Sequence, residues 1–326
     1  MGKYIKTFNN HTDYQAYINS DNLLLPNVSY CKQQKETHFN TDAYWVSIEF
    51  TLQTAKSISV GTRIIYSTEF THYYELEVGD DSFENVMQME IDGTAISKTD
   101  LTEVTDNQTL QAFGALAYFY DFSSGHHTIK LYYETSEIAA KSAVLFGYDN
   151  TFSNNDITPL TVTISKMMKT VGSHFLFYCT LPDVYFENGI KDVSTFILSA
   201  FLGTPCFYHL YIPDSAEGDM CRVLGYANDT TIYIGNGITR IPDNCLDHYG
   251  GSLSIGTGIE YIGAKTTGGA LYSLTIEAVT PPVLSEGALT NLDQDFYINV
   301  PSESVNAYKT APVWSNFAEY ISAILS

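Results

Sequence analysis

Cysteine, positive charge and long apolar runs are all scarce in this sequence of 326 residues. Its five cysteines are odd in number and form no Cys-x-x-Cys pair, which argues against a disulfide framework or a thiolate metal site and predicts small buried side chains. No stretch approaches the roughly 18 apolar residues of a membrane-spanning helix, and residues 1–14 lack the apolar segment of a secretion signal. We therefore expect neither membrane insertion nor export through a signal peptide.

Basic residues are the second shortage. Lys and Arg total 16 against 37 Asp and Glu, for a net charge of −21. Because nucleic-acid binding depends on neutralising phosphates with Lys and Arg, this balance predicts no nucleic-acid partner. The acidic excess is most simply a source of solubility.

Recognisable catalytic motifs are also missing. The sequence has no Gly-x-Ser-x-Gly, His-Glu-x-x-His or phosphate-loop pattern, and we interpret the Gly-x-Gly sequences at 235–237 and 256–258 as repeat turns. We predict that the chain is not an enzyme and has no catalytic residue, metal ligand or cofactor. A glycan-cleaving enzyme is the weakest alternative, because its two carboxylates would have to face each other across a cleft, which a sequence cannot show.

The strongest positive feature is a repeat in residues 209–305, where an apolar-x-apolar strand is followed by a turn with Gly or Pro. The second apolar residue of each strand is Ile212, Ile234, Ile255, Ile276 or Val300. Steps of 21 to 24 residues between these positions are typical of a leucine-rich-repeat solenoid. The likeness of residues 185–193 to 233–241 predicts an earlier, imperfect turn near Val184. The turn glycines are expected to adopt positive φ angles; they are Gly235, Gly237, Gly256 and Gly258.

Residues between the apolar positions of each strand should face outward from the solenoid. They are His209, Tyr211, Thr231, Tyr233, Ser252, Ser254, Ser273, Thr275, Tyr297 and Asn299. Tyr, Ser, Thr and Asn make adaptable contacts at low entropic cost, which favours a binding surface, although any solvated sheet face has a similar composition. The candidate binding residues are His209, Tyr211, Tyr233, Ser254, Thr275, Tyr297 and Asn299.

A terminal cap is predicted after the last repeat, because a solenoid leaves its final apolar layer open. Residues 302–308 suit a short helical turn that Pro312 ends. The apolar side chains that follow have helical spacing, which predicts a helix with one apolar face. They are Trp314, Phe317, Tyr320, Ile321 and Ile324. At the other end, residues 160–180 are expected to cap the first turn.

The fold class we predict is mainly β, with an antiparallel β-sandwich followed by a short leucine-rich-repeat solenoid and a C-terminal helical cap. Residues 43–152 show strand after strand of alternating apolar residues, which indicates the sandwich, and Asp92-Gly93 is a hairpin signal. Residues 153–326 form the solenoid and its caps. Residues 1–42 contain too few apolar side chains for a core and are expected to form an extended anchoring arm. The arm's candidate contact residues are Leu25, Pro26, Asn27, Val28 and Tyr30.

Four short signatures occur in order near the C-terminus. They are Thr280-Pro281-Pro282, Ile298-Asn299-Val300-Pro301, Ala307-Tyr308-Lys309 and Trp314-Ser315. This order resembles the terminal repeat of the surface-antigen type of leucine-rich repeat found in gut bacteria and their phages.

A second resemblance lies in the N-terminal half. It is carried by Phe8, His11, Tyr14, residues 25–31 and 38–40, and the GHHTIK sequence at 125–130. These segments resemble the arm and the sandwich of virion proteins of crAss-like gut phages. The resemblance implies a virion structural protein of the head or tail, of the fibre or capsid-decoration type, made in the cytoplasm of the bacterial host.

The same resemblance implies partners. The arm would bind other virion proteins, the chain would form a homo-oligomer with a trimer favoured, and the repeats would attach to a glycan or protein of the host surface. The alternative is a bacterial cell-surface adhesin or carbohydrate-binding protein, which would share the sandwich and repeats but would need an export signal.

Overall fold

A computed structural model describes about two thirds of the chain, most continuously in its C-terminal half. The described residues are 5–8, 28–31, 36–39, 44–64, 87–96, 102–103, 118–133, 142–146, 160–170, 178–179, 182–199, 207–224, 227–247, 249–265 and 269–325. The protein is mainly β, and its C-terminal region is a β-solenoid of about six turns. No helix among these residues is long and apolar enough to cross a membrane.

The N-terminal segment contributes a small sheet of three strands, β1 (Ile5–Phe8), β2 (Val28–Cys31) and β3 (Glu36–Phe39). β1 runs parallel to β2, which pairs antiparallel with β3. Of the predicted arm residues, Val28 and Tyr30 lie in β2, whereas Leu25, Pro26 and Asn27 are outside the described residues. Pairing of the arm strands with one another was not predicted from the sequence.

Strands of the predicted sandwich region fall into two sheets. They are β4 (Tyr44–Leu52), β5 (Lys56–Ile64), β6 (Met87–Ile91), β7 (Thr94–Ile96), β8 (Thr102–Glu103), β9 (Tyr118–Phe122), β10 (Gly125–Tyr133) and β11 (Ser142–Phe146). One sheet has the order β4-β10-β6-β7, and the other has the order β11-β5-β9-β8. The Phe50 ring of β4 lies 4.9 Å from Phe146 and 5.2 Å from Phe122, which are both in the second sheet. Closure of these strands into a sandwich stays a prediction.

The hairpin predicted at Asp92-Gly93 is confirmed. Ile91 pairs with Thr94 across a two-residue turn, and both turn residues have positive φ, 53° at Asp92 and 76° at Gly93. This is the conformation that a two-residue hairpin with matching strand twist requires, and Asp-Gly adopts it at low cost.

The solenoid stacks parallel strands at the predicted spacing. Its main strands are β12 (Thr161–Ile164), β14 (Asp183–Phe186), β16 (His209–Ile212), β19 (Ala227–Ile234), β21 (Tyr249–Ile255), β23 (Leu271–Ile276) and β25 (Leu292–Val300). Ile212, Ile234, Ile255 and Ile276 are neighbours in register, and each is buried. The early turn predicted near Val184 is also confirmed, since Val184 pairs with Leu210.

Shorter strands build the other sides of each turn. They are β13 (Tyr178–Cys179), β15 (Ile197–Ser199), β17 (Gly218–Asp219), β18 (Arg222–Leu224), β20 (Ile238–Ile241), β22 (Tyr261–Ile262) and β24 (Val283–Leu284). β13 joins β11, β15 pairs with β18, and the four strands β17, β20, β22 and β24 form a second parallel sheet. The buried side chains of both solenoid sheets therefore meet in one elongated core.

The turn glycines serve a different purpose from the one predicted. None of Gly235, Gly237, Gly256 and Gly258 has a φ angle in the left-handed region, so that part of the prediction is wrong. A Cβ atom on Gly237 would lie 2.0 Å from the Ala216 carbonyl oxygen, and one on Gly258 would lie 1.9 Å from the Asn236 carbonyl oxygen. Glycine is needed at these positions because successive turns bring their backbones into contact.

Side chains in the same turns bond one repeat to the next. The Asp214 carboxylate accepts the Asn236 N–H at 2.8 Å, and the Asn236 side-chain oxygen accepts the Thr257 N–H at 2.8 Å. These bonds satisfy turn amides that no strand partner would reach. They therefore help to set the spacing of the repeats.

Of residues 160–180, which were expected to cap the first turn, Thr161–Ile164 form a strand of the long sheet, and residues 171–177 lie outside the described residues. β12 pairs antiparallel with β4, with Val162 opposite Ile48. The result is a single sheet of twelve strands that crosses the boundary predicted at residue 152. Joining the edge strands satisfies their backbone groups directly, so no separate cover is required.

The C-terminal cap has a helix only in its first part. A 3-10 turn at Ser302–Ser304 leads into the helix α1 (Val305–Thr310), which agrees with the predicted helical turn. The helix predicted from the spacing of residues 314–324 is wrong: a 3-10 turn at Trp314–Phe317 is followed by the strand β26 (Ile321–Ala323). β26 extends the long sheet by pairing with β25, because the open edge of β25 requires hydrogen-bond partners.

Candidate binding surface on the long sheet

The outward residues predicted from alternation lie in two rows across the solenoid strands. One row runs through Asp183, His209, Thr231, Ser252, Ser273 and Tyr297, and the other through Tyr185, Tyr211, Tyr233, Ser254, Thr275 and Asn299. All seven candidate binding residues therefore share one face of the sheet. Strand-to-strand register places each of them next to its counterpart in the adjoining repeat.

Three tyrosines form a stack along the second row. The ring centroids of Tyr185 and Tyr211 are 4.3 Å apart, those of Tyr211 and Tyr233 are 4.7 Å apart, and each pair is tilted by only 3°. These separations match the distance between neighbouring strands, so the parallel register itself brings the rings face to face. Tyr233 ends the stack and is 38% exposed.

A histidine–carboxylate pair borders the stack. His209 Nδ1 lies 2.7 Å from an Asp183 carboxylate oxygen, and the two residues are register partners on β16 and β14. The His209 ring is 6.0 Å from Tyr211 and 6.1 Å from Tyr233. The pair fixes the imidazole beside the tyrosines and occupies its Nδ1.

Burial disfavours ionisation of the central tyrosine of the stack. Burial, a hydrogen bond with the Tyr185 hydroxyl and the nearby phenols and Asp183 all raise the pKa of Tyr211 above its ordinary value. Tyr211 is therefore neutral at physiological pH, and the stack offers ring faces and hydroxyl groups to a partner.

Beyond Tyr233 the face is lined by small hydroxyl residues, which we call the hydroxyl strip: Ser252, Ser254, Ser273 and Thr275. The described part of the chain contains no hydrogen-bond partner for any of these four hydroxyl groups. Tyr297, which is 48% exposed, stands on the far side of the strip. The strip is therefore an uncharged surface between two exposed aromatic side chains.

On the other side of the stack, the same sheet carries a second aromatic group. The Lys130 ammonium lies 4.3 Å from the centre of the Trp45 ring and 5.3 Å from that of Tyr132. The Tyr132 hydroxyl donates to Glu90 at 3.0 Å. The cation–π contacts of Lys130 and the hydrogen bond of Tyr132 to Glu90 already engage these side chains within the protein.

Some residues of this face were missed by sequence reasoning. Tyr185 and Asp183 lie in a turn that the repeat marks only weakly. The likeness of residues 185–193 to 233–241 nevertheless aligns Tyr185 with Tyr233 as equivalent positions of two repeats. Trp45, Lys130 and Tyr132 could not be placed on the same face, because the pairing of β4 with β12 is a long-range contact.

The described residues contain no group of three or more His, Cys, Asp or Glu side chains that could hold a metal ion. No protein-family model matches the chain, and a search of the curated proteins found no match. The geometry of the sheet face is therefore the basis for a functional proposal.

Proposed function

We propose that this chain is a phage virion structural protein that displays a leucine-rich-repeat type of solenoid and contacts the host surface through its long sheet. The observation that carries the proposal is the stack of Tyr185, Tyr211 and Tyr233 on the outward face. Its rings are held parallel on the solvent side rather than in the apolar core. Tyrosines in such a position supply a large, rigid contact area at low entropic cost.

The virion assignment draws on the resemblance of the N-terminal half to virion proteins of crAss-like gut phages. In this proposal the arm, which contains β1, β2 and β3, anchors the chain to other virion proteins. The strands of residues 43–152 form a β-sandwich that spaces or trimerises the protein, and the solenoid points outward. The function is one of attachment and carries no catalysis.

Mass spectrometry of purified phage particles tests this proposal. Peptides from both the arm and the solenoid should be present at a constant ratio to the major capsid protein. Particles that contain the capsid protein but lack this chain would reject the assignment.

A bacterial surface adhesin is the second candidate. The hydroxyl groups beside Tyr233, which have no hydrogen-bond partner in the described part of the chain, favour it because they suit a glycan ligand. The genes next to the coding sequence discriminate between the two. Capsid, portal and tail genes would support the virion protein, whereas a glycan-uptake locus would support the adhesin.

A further inference from the structure

We propose that the hydroxyl strip, together with Tyr233 and Tyr297, is a binding site for a neutral saccharide chain. This inference names a ligand class for the attachment surface and so rests on the proposed function. It is argued from the ring face at the end of the stack and from the hydroxyl groups of the strip, which have no partner among the described residues. The third argument is that the strip residues between the two tyrosines are uncharged.

The first step is the open ring face of Tyr233. One face of this ring is covered by Tyr211 at 4.7 Å. The next position in the row is Ser254, whose side chain is too short to cover the other face. Because the stack holds the ring in place, a ligand that packs on the open face orders little that is not already ordered.

The second step is the supply of hydrogen bonds. Ser252 and Ser254 on β21 lie beside Ser273 and Thr275 on β23, so four hydroxyl groups form a small two-by-two array. Each hydroxyl both donates and accepts, and none has a partner among the described residues. Ser273 is only 8% exposed, so a ligand that reaches it must lie directly on the strip.

The third step is the chemical class of the ligand. The strip and its two flanking tyrosines carry no charged side chain, and Asp293 and Asp295 precede Tyr297 in β25. With a net charge of −21 on the whole chain, these acids disfavour an anionic ligand. A protein partner would be expected to place apolar anchors on its site, whereas the strip presents hydroxyl groups.

A saccharide satisfies all three conditions. A sugar ring has an apolar C–H face that packs on an aromatic ring, and its hydroxyl groups donate and accept along the ring edge. From Tyr233 on β19 to Tyr297 on β25 the face spans three strand spacings, roughly 14 Å. That distance accommodates more than one sugar unit, so the site suits a chain rather than a monosaccharide.

The test applies the full chain to an array of neutral and acidic polysaccharides, including polygalacturonate as an acidic member. Ser254→Tyr should continue the tyrosine stack in register, so that the new ring covers the open face of Tyr233 and occupies the hydroxyl strip. Tyr233→Ala removes the aromatic ring on which the sugar is proposed to pack. Ser315→Tyr makes the same substitution as the first variant at an exposed residue of the cap and serves as the matched control. Thermal unfolding of each variant verifies that it is folded.

We expect at least one neutral polysaccharide to bind, with affinity reduced at least tenfold in Ser254→Tyr and Tyr233→Ala and unchanged in Ser315→Tyr. Polygalacturonate should not bind. Binding of no neutral polysaccharide, preferential binding of acidic ones, or unchanged affinity in folded Ser254→Tyr would overturn the proposal.

Binding of the labelled chain to gut-bacterial isolates separates this inference from the function on which it rests. Periodate, which oxidises sugar diols, and Ser254→Tyr should each abolish cell binding. Cell binding that survives both would overturn the saccharide site and leave attachment standing. Neutral polysaccharide binding on the array without binding to any isolate would support the site and count against host attachment.

Discussion

Trp314 shows how a single side chain can close the end of the solenoid. Its ring is completely buried, packs edge to face against Tyr308 at 5.1 Å, and donates its indole N–H to the Pro282 carbonyl at 2.8 Å. This burial is what the terminal cap predicted from the sequence requires. The hydrogen bond to Pro282 ties the cap to the turn that follows β23.

Trp314→Ala should cost about 3–5 kcal/mol in unfolding free energy. The loss should spread inward from the C-terminal end, because each repeat packs mainly on its neighbours. Limited proteolysis under native conditions should then begin by local opening beyond Ser273, before the global unfolding that also exposes residues 44–64. Trp314→Phe, which keeps an aromatic ring, should show a smaller effect, and unchanged resistance in the alanine variant would contradict the capping role.

Val313, immediately before this tryptophan, has a strained backbone. Its φ of 65° and ψ of −43°, with the Trp314 N–H bonded to the Pro312 carbonyl at 2.8 Å, describe a γ-turn that is costly for a β-branched residue. Val313→Gly relieves this strain but removes a side chain that packs against the core. It should therefore cost less stability than the same substitution at Val305, which packs on the core without the strain. Chemical denaturation of both variants checks this, with Val305→Gly in α1 as the control expected to lose more stability.

The buried Tyr308 hydroxyl should make the folded protein less stable at high pH. Burial raises the pKa of Tyr308 in the folded protein, whose hydroxyl donates to the Ala278 carbonyl at 2.8 Å. The unfolded chain releases this proton near pH 10, so the contribution is complete below about pH 10 and declines as the pH rises further.

Urea unfolding between pH 8 and pH 11.5 measures this effect. Tyr308→Phe should be about 1–3 kcal/mol less stable at pH 8, because the Ala278 carbonyl loses its partner, and its stability should fall less steeply above pH 10. Parallel pH profiles for the two proteins would contradict the assignment.

At the scale of the element, the close approach of neighbouring backbones restricts which residues the solenoid turns can contain. Gly237 is the sharpest case, since a Cβ atom would lie 2.0 Å from the Ala216 carbonyl oxygen. This requirement depends on the next turn and has no local signal beyond the glycine itself. The expectation of positive φ was wrong because a tight turn and a close backbone approach both select glycine.

Gly237→Ala should cost about 3 kcal/mol through overpacking. Gly287→Ala is the matched control: its φ is 70° and no atom lies within 4 Å of the added methyl group, so it should cost about 1 kcal/mol through backbone strain alone. Thermal unfolding of both variants decides the order. A larger loss in Gly287→Ala would show that backbone conformation outweighs the contact between turns.

At the scale of the whole molecule, four strands of the predicted sandwich region, β4, β6, β7 and β10, share one sheet and one core with the solenoid. Ile48 and Val162 pair across the junction of β4 and β12, both are buried, and the same apolar cluster extends to Ile321. Unfolding of one part should therefore expose apolar surface of the other.

Ile48→Ala should cost about 2–5 kcal/mol and destabilise both halves together. The two tryptophans are natural reporters, Trp45 beside the junction and Trp314 in the cap. The Trp314→Phe variant reports through Trp45 alone, and the Trp45→Phe variant reports through Trp314 alone. Adding Ile48→Ala to each should shift the midpoint of unfolding, followed by tryptophan fluorescence, by the same amount. A shift in the Trp45 signal alone would mean that the halves unfold independently.

The sequence by itself determined the period of the solenoid, the rows of its outward face and the Asp92-Gly93 hairpin. These features follow from local rules, since a repeat near 21 residues sets the strand register and Asp-Gly supplies the dihedral angles of one turn type. The sequence alone was therefore enough to predict which residues lie on the candidate surface, but not how their side chains contact one another. The tertiary structure decided the stacking of Tyr185 on Tyr211, the union of β4 with β12 and the strand at residues 321–323. Each depends on which strands become neighbours in the sheet, and this is a long-range contact. A short apolar pattern is compatible with a helix or a strand, and an unpaired backbone edge nearby selects the strand.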